Sequence, residues 1–273
     1  MQANDYHVGK GVPGKMRKYL FLLCVLLLPN NPCFSRSPEA GSLEEKFREG
    51  NRHYENKEFV KAAACYEQII QDHRIRNADL YYNLGNACMK LNKLGQAIYY
   101  YHKALKVREN DPEIRENLAY AERLRVDKIK KPEDSIYAKA FLKFQQVISV
   151  NQGTVLAVIF YLLLNVFLFF RILGRPLFPA VLNRYLTGII IIMILIFVST
   201  TGIKIFQNHH YREAVLLAPS LEVRSGPGSD NTALFTIHEG LKVRIRAERG
   251  EWVQIRLENG LSGWAKKDEM GII

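Results

Sequence analysis

The sequence lacks the common arrangements of catalytic and metal-binding residues. It has no glycine-rich phosphate loop, no nucleophile elbow and no His-Glu-x-x-His helix. Its four cysteines form no Cys-x-x-Cys pair and have no histidine at ligand spacing, so neither a metal nor another cofactor is predicted. We therefore expect a protein that is not an enzyme. Cys65 and Cys88 fit as small core residues, although the spacing leaves a disulfide between them open.

Acidic charge is scarce beside the apolar segments. Of a net charge of +11, most lies in residues 127–212, whereas residues 43–126 and 213–273 are nearly neutral. Nucleic-acid binding requires a basic face on a folded module, so we predict no nucleic-acid partner. Basic residues that flank apolar segments instead favour contact with anionic lipid in a bilayer.

Two long apolar runs indicate a membrane hairpin. Each run is long enough to cross a hydrocarbon core of ~30 Å as a helix. We predict transmembrane helices over residues 153–173 and 185–205, joined by a cytoplasmic link over 174–184. Basic residues without acidic neighbours accompany this link, as the positive-inside rule requires of a short loop: Arg171, Arg175 and Arg184.

Residues 1–35 have the pattern of a leader peptide. A basic start precedes an apolar stretch of about ten residues, too short to span a bilayer. Export of the following module, and two crossings after it, would place both terminal modules on one side. We predict a two-pass protein of the bacterial inner membrane with both modules in the periplasm.

Two features near the membrane each allow two interpretations. Residues 127–152 form an amphipathic juxtamembrane connector, which either lies on the bilayer surface or packs on the preceding module. Asn165 is a strongly polar residue deep in the first apolar run. It either contacts a helix of another membrane protein or bonds within its own helix.

Residues 43–126 contain an internal repeat. Gly50, Gly85 and Ala119 are 35 and 34 residues apart, and Tyr66 and Tyr101 follow the same frame. The spacing and the residue types resemble the tetratricopeptide repeat. We predict two helical repeats followed by a capping helix.

The first helix of each such repeat lines a groove, which places four polar residues in it: Asn51, Asn83, Asn86 and Lys90. Asparagine bonds both the N–H and the C=O of an extended peptide, so we predict a peptide-binding groove. The positions resemble part of the carboxylate clamp of chaperone-binding repeats, but its basic members are absent. A solvated polar face is the alternative.

Residues 213–273 change to short alternating strands. A strand followed by the turn Arg224-Ser-Gly-Pro-Gly228 resembles a bacterial SH3 domain and predicts a small all-β barrel. Asn259-Gly260 predicts a tight hairpin with two positive φ angles. We expect Trp264 in the core, while Trp252 fits either the core or a binding groove.

The fold class expected is thus a multidomain membrane protein with α-helical repeats, a two-helix hairpin and an SH3-like barrel. This order of segments resembles the BatE-type proteins of the Bacteroides aerotolerance operon. The resemblance implies three partners and a role in oxidative-stress tolerance. These partners are membrane-anchored von Willebrand A-domain proteins, a BatD-type membrane protein and a MoxR-type ATPase.

Two functions fit this organisation. The first is a non-enzymatic inner-membrane scaffold, or adaptor, that presents its repeats and its SH3 module for protein–protein interaction. The alternative is a cell-wall accessory protein that binds peptidoglycan and positions an envelope enzyme through its SH3 module.

Overall fold

Among the described residues, helices lie between Pro38 and His210 and strands between Arg212 and Ile272. The structure is a computed structural model that describes residues 38–73, 75–129, 135–174, 177–210 and 212–273. The predicted leader, residues 1–35, lies outside the described residues. From Leu43 to Ile273 the chain forms one compact unit.

Five helices form the repeat module, in agreement with the predicted helical repeats. They pack as successive antiparallel neighbours around one apolar core. Their bounds are α1 Pro38–Glu55, α2 Phe59–His73, α3 Ala78–Lys90, α4 Leu94–Val107 and α5 Pro112–Leu124.

Side-chain caps set the starts of α3 and α5. The side chain of Asn77 accepts a hydrogen bond from the Leu80 N–H at 3.0 Å. The Asp111 carboxylate accepts from the N–H groups of Glu113 and Ile114 at 3.0 and 3.2 Å. Each cap satisfies donors that have no partner inside the helix.

A glycine and a tyrosine meet at the same place in both repeats. A Cβ atom on Gly50 would lie 2.6 Å from the Tyr66 ring, and one on Gly85 would lie 2.7 Å from the Tyr101 ring. Both tyrosines are almost fully buried. The spacing of 35 residues thus has a packing cause, since a larger residue than glycine would push the ring away.

Two long apolar helices follow the repeats. They are α7, Val150–Ile172, and α8, Ala180–His210, and each contains an 18-residue window with a mean hydropathy of 2.5. Both are long and apolar enough to cross a bilayer. The Phe160 and Phe197 rings stack between them at 5.7 Å.

A short helix, α6 (Ile136–Val147), precedes the hairpin. Phe141 and Phe144 line an apolar groove together with residues of α8. Gln145, on another side of α6, is buried. The juxtamembrane connector therefore packs along α8, with Phe141 and Phe144 still partly exposed.

The C-terminal module is an antiparallel sheet of seven strands in the order β3-β2-β6-β5-β4-β1-β7. Val253 and Ile255 of β5 face the core, opposite Ala265 and Gly263 of β6. Strand bounds are β1 Arg212–Leu216, β2 Ser220–Arg224, β3 Ala233–His238, β4 Lys242–Arg249, β5 Trp252–Arg256, β6 Ser262–Lys266 and β7 Met270–Ile272.

The predicted hairpin at Asn259-Gly260 joins β5 to β6, but its backbone differs from the prediction. Gly260 has a φ of 93°, whereas Asn259 has no positive φ. Because Leu257 N–H bonds to Leu261 O, the loop is longer than two residues. Asn259 acts through its side chain, which accepts the Leu261 N–H at 3.1 Å. The prediction of two positive φ angles was therefore wrong.

The sheet packs directly on α4 of the repeats. Val215 of β1 belongs to the repeat core, and the Gly95 N–H donates to Glu239 Oε2 at 3.1 Å. A Cβ atom on Gly95 would lie 2.6 Å from the Leu216 carbonyl oxygen. One on Gly271 would lie 2.6 Å from the Tyr99 ring. Glycine at both positions allows the two modules to approach this closely.

Polar contacts reinforce the same interface. The Asp127 carboxylate accepts the His238 N–H at 2.7 Å and lies 3.0 Å from the His238 ring. Lys106 Nζ donates to the Ile273 carbonyl oxygen at 2.8 Å. The repeats and the sheet thus share hydrogen bonds as well as an apolar contact.

Both modules also contact one end of the hairpin. The Glu109 carboxylate of the repeats pairs with Lys204 of α8 at 3.2 Å and accepts the Val150 N–H of α7 at 3.3 Å. Asn110 donates to the Val147 carbonyl oxygen at 2.8 Å. The sheet begins at Arg212, two residues after α8 ends. The start of α7 and the end of α8 therefore carry both modules.

Candidate functional site

The asparagines of the predicted groove form a hydrogen-bonded network across neighbouring helices. In the first repeat, Asn51 Oδ1 accepts the Tyr66 hydroxyl at 2.7 Å and the Asn83 side-chain amide at 3.0 Å. Asn51 lies on α1, Tyr66 on α2 and Asn83 on α3. One oxygen atom therefore connects three helices.

The second repeat has a closely similar arrangement. Asn86 Oδ1 accepts the Tyr101 hydroxyl at 2.7 Å and the Asn117 amide at 3.2 Å. Asn117 also donates to the Tyr82 hydroxyl at 2.7 Å, which in turn donates to Glu113 at 2.6 Å. The first cluster thus joins α1, α2 and α3, and the second joins α3, α4 and the capping helix α5.

Burial keeps the tyrosines of this network protonated. Desolvation raises the pKa of both Tyr66 and Tyr82 to about 12. Desolvation raises the pKa of Tyr101 as well. These hydroxyls remain hydrogen-bond donors at physiological pH, so they keep their acceptors, Asn51 and Asn86, in fixed orientations.

The network leaves specific atoms free for a ligand. The Oδ1 atoms of Asn51 and Asn86 are already occupied. The Asn51 Nδ2 finds no acceptor among the residues that the structure describes, and the Asn86 amide also bonds to the Tyr82 side chain, which leaves one of its two N–H groups open. An amide N–H is a donor, and a peptide carbonyl oxygen is its natural acceptor. The groove therefore offers two oriented donors, one from each repeat.

The other predicted site residues lie at separate places. Lys90 is exposed at the end of α3, one turn beyond Asn86. Asn165 lies on α7, where its amide donates to the Tyr161 carbonyl oxygen of the same helix at 2.7 Å. The groove and Asn165 are thus distinct, and contact between Asn165 and a second membrane protein stays a prediction.

Sequence reasoning missed the tyrosines and Asn117 as members of the groove network. A signal was present, because Gly50-Asn51 and Gly85-Asn86 are each followed by a tyrosine after the same interval. The partners from the next helix follow the same frame, because Asn83 lies two residues before Gly85 and Asn117 two residues before Ala119. Their roles depend on how the helices pack.

Both tryptophans lie on the face of the sheet opposite the core cluster. The register pairs Trp252 with Lys266 and Trp264 with Gln254 on that face. Trp264 is only 8% exposed and the Arg249 guanidinium lies 5.6 Å from its ring centroid, within the range of a cation–π contact. Trp252 is half-buried. This aromatic face is the second candidate binding surface.

A cavity of about 410 Å³ lies where the repeats, the hairpin and the sheet meet. Both of its acidic residues are paired within it, Glu109 with Lys204 and Glu213 with Lys242, and two more basic residues line it, Lys106 and Arg115. His102 borders the cavity, and burial together with nearby cations lowers its pKa to about 3. The ring is therefore neutral at physiological pH, and we assign no ligand to this cavity.

The disulfide left open by the sequence is not formed, since both Cys65 and Cys88 are free thiols. Cys88 is buried in the repeat core, as expected of a small packing residue. Desolvation raises the pKa of its thiol to about 12. Cys88 is therefore an unreactive part of the core.

Comparison with known proteins identifies both modules. Residues 78–111 match the tetratricopeptide repeat, and residues 219–270 match the bacterial SH3 domain. A stretch of 52 residues in the SH3 region is 40% identical to a Bacillus subtilis (strain 168) protein named "Putative N-acetylmuramoyl-L-alanine amidase YrvJ". That stretch is 19% of this chain and 10% of the relative. The matched domains are binding modules, so the chain has a protein-interaction or peptidoglycan-binding role.

Proposed function

We propose that this chain, with its tetratricopeptide repeat and its bacterial SH3 domain, is a non-enzymatic adaptor of the bacterial inner membrane. The repeat groove binds an extended segment of a partner protein. The observation that carries this proposal is the pair of amide groups on Asn51 and Asn86, each with an N–H open to a ligand and each held in place by a buried tyrosine hydroxyl.

Three features support peptide binding in the groove. The two donors come from successive repeats, so they suit successive carbonyl groups along an extended chain. Exposed Lys90 favours a peptide with a carboxylate near that end. The described contacts with the sheet come mainly from α4 and from the segment after α5, so the asparagines remain uncovered.

The membrane orientation is part of the same proposal. Contacts of both modules with one end of the hairpin suit a two-pass arrangement with both modules in the periplasm. The opposite end of the hairpin carries Arg171 and Arg184, as expected of a cytoplasmic link.

The proposed partners follow from the order of the segments alone. They are membrane-anchored von Willebrand A-domain proteins, a BatD-type membrane protein and a MoxR-type ATPase, in a complex for aerotolerance. An ATPase in the cytoplasm would reach this chain only through its link or through the other subunits.

Changing the two groove asparagines to aspartates tests the proposal. Asn51→Asp with Asn86→Asp removes the amide donors but keeps an oxygen for each tyrosine hydroxyl. Because two hydrogen bonds are lost, the affinity for the partner should fall by a factor of at least about ten. Recovery of A-domain membrane proteins in a detergent pull-down with the full chain measures this effect.

The matched control is Asn56→Asp, which makes the same change at an exposed turn residue. It should leave recovery unchanged. Circular dichroism checks that the double variant keeps its helices. Equal recovery by the double variant and the control would contradict binding through the groove.

A second candidate function is peptidoglycan binding through the sheet. Two observations favour it: the similarity of this region to part of an amidase, and the aromatic face with Trp252 and Arg249. Aromatic rings suit the apolar faces of sugars, and arginine suits the carboxylates of wall peptides.

Sedimentation of the full chain in detergent with purified peptidoglycan separates the two functions. If the sheet binds the wall, the wild-type protein should sediment with the peptidoglycan. Most of the Trp252→Ala variant should instead stay in the supernatant. Leu234→Ala, a truncation at another exposed residue of the sheet, is the control and should still sediment. Absence of the wild-type protein from the pellet would rule out the second function.

A further inference from the structure

Three potential metal ligands converge in the first repeat. Glu49 and His53 lie one turn apart on α1, and Cys65 lies on α2. Their ligand atoms all lie within 4.8 Å of one another. Glu49 Oε1 and His53 Nε2 are 3.8 Å apart.

The orientation of His53 suits metal coordination. Its Nδ1 lies 2.5 Å from Glu58 Oε2, and a carboxylate only accepts hydrogen bonds, so Nδ1 carries a proton. In the neutral ring, Nε2 then presents a lone pair to the Glu49 carboxylate. The distance of 3.8 Å between them is too long for a hydrogen bond. Two electron-pair donors therefore face a common point with the Cys65 sulfur beside them.

We propose that Glu49, His53 and Cys65 bind a zinc ion, with Glu58 orienting the His53 ring. Sulfur, imidazole nitrogen and carboxylate oxygen are the three ligand types of zinc in proteins. Around a tetrahedral ion such atoms lie roughly 3.3–3.6 Å apart, so a small side-chain closure completes the site. A carboxylate on the other ring nitrogen is the usual outer partner of a zinc-binding histidine. This site is separate from the groove function.

Zinc binds cysteine as the thiolate, so binding of the ion releases the Cys65 thiol proton to solvent. The site has three protein ligands, so a fourth position is open to water.

The test uses the full chain in detergent, purified without a histidine tag, in a Cys24→Ser and Cys33→Ser background. We expect one Zn²⁺ per chain by competition with a chromophoric chelator. Co²⁺ alone should give tetrahedral d–d bands and a thiolate charge-transfer band. Cys65→Ala should abolish the charge-transfer band, and Glu58→Gln should weaken Zn²⁺ binding by about 10–100-fold.

Cys88→Ala is the matched control, because it removes the equally small thiol of the second repeat. It should leave Zn²⁺ affinity and the Co²⁺ spectrum unchanged. Circular dichroism checks that each variant folds. If Cys65→Ala does not fold, Cys65→Ser replaces it in the test. The proposal would be overturned if the parent chain bound no Zn²⁺, or if the Cys65 variants bound Zn²⁺ as tightly as the parent chain.

Discussion

Gly95→Val should separate the sheet from the repeats. A Cβ atom at this position would lie 2.6 Å from the Leu216 carbonyl oxygen, which belongs to a strand backbone and cannot swing aside. Overpacking of this kind costs about 1–3 kcal/mol, and here the cost falls on the contact between two modules. We therefore expect each module to stay folded while the interface between them opens.

Two optical probes measure this outcome independently. Both tryptophans lie in the sheet, so their fluorescence reports its unfolding alone. Circular dichroism of helices reports the repeats and the hairpin. In urea the two transitions should coincide for the wild type and separate for Gly95→Val. Gly188→Val, a helical glycine with open space around it, is the control and should keep them together. Coincident transitions in Gly95→Val would contradict a tight interface.

Ile98→Ala should cause the largest loss of stability in the repeat module. The side chain is fully buried in the repeat core, and its Cδ1 lies against Gly240 of the sheet. Truncation of a buried isoleucine to alanine lowers the free energy of unfolding by about 2–5 kcal/mol. The midpoint of the helical transition in urea should fall accordingly.

Val60→Ala is the comparison for this truncation. Val60 is 69% exposed on α2, and surface changes of this kind usually stay within about 0.5 kcal/mol. Because Ile98 touches the sheet, its truncation should also lower the midpoint seen by tryptophan fluorescence. If the urea midpoint of Ile98→Ala were close to that of Val60→Ala, the truncation of Ile98 would leave no destabilising cavity in the repeat core.

Residues that interact within one segment were predictable from the sequence. The spacing of Gly50 and Gly85 indicated the repeats, because the same helix crossing needs the same small residue. The apolar length of α7 and α8 indicated a membrane hairpin, since few soluble segments have such composition. Alternation around Trp252 and a glycine-proline turn indicated the sheet. In each case the physical cause lies within about 35 residues.

Contacts between distant segments were not predictable in the same way. Gly95 and Glu239 are 144 residues apart, and neither residue alone signals that a sheet packs on α4. Spacing along the chain predicted no metal site, whereas Glu49, His53 and Cys65 meet across two helices. The groove asparagines were placed on the correct helices, but the tyrosines that orient them approach from the neighbouring ones.

The Glu109–Lys204 contact has a consequence for how a ligand is found. Because the repeats contact the hairpin through this pair and through Asn110, which bonds to Gln152 of α7, the groove is held close to one end of the hairpin. In the proposed function, a partner anchored in the same bilayer searches a plane instead of a volume. Weak contacts in the groove suffice under such confinement, since the effective local concentration replaces intrinsic affinity.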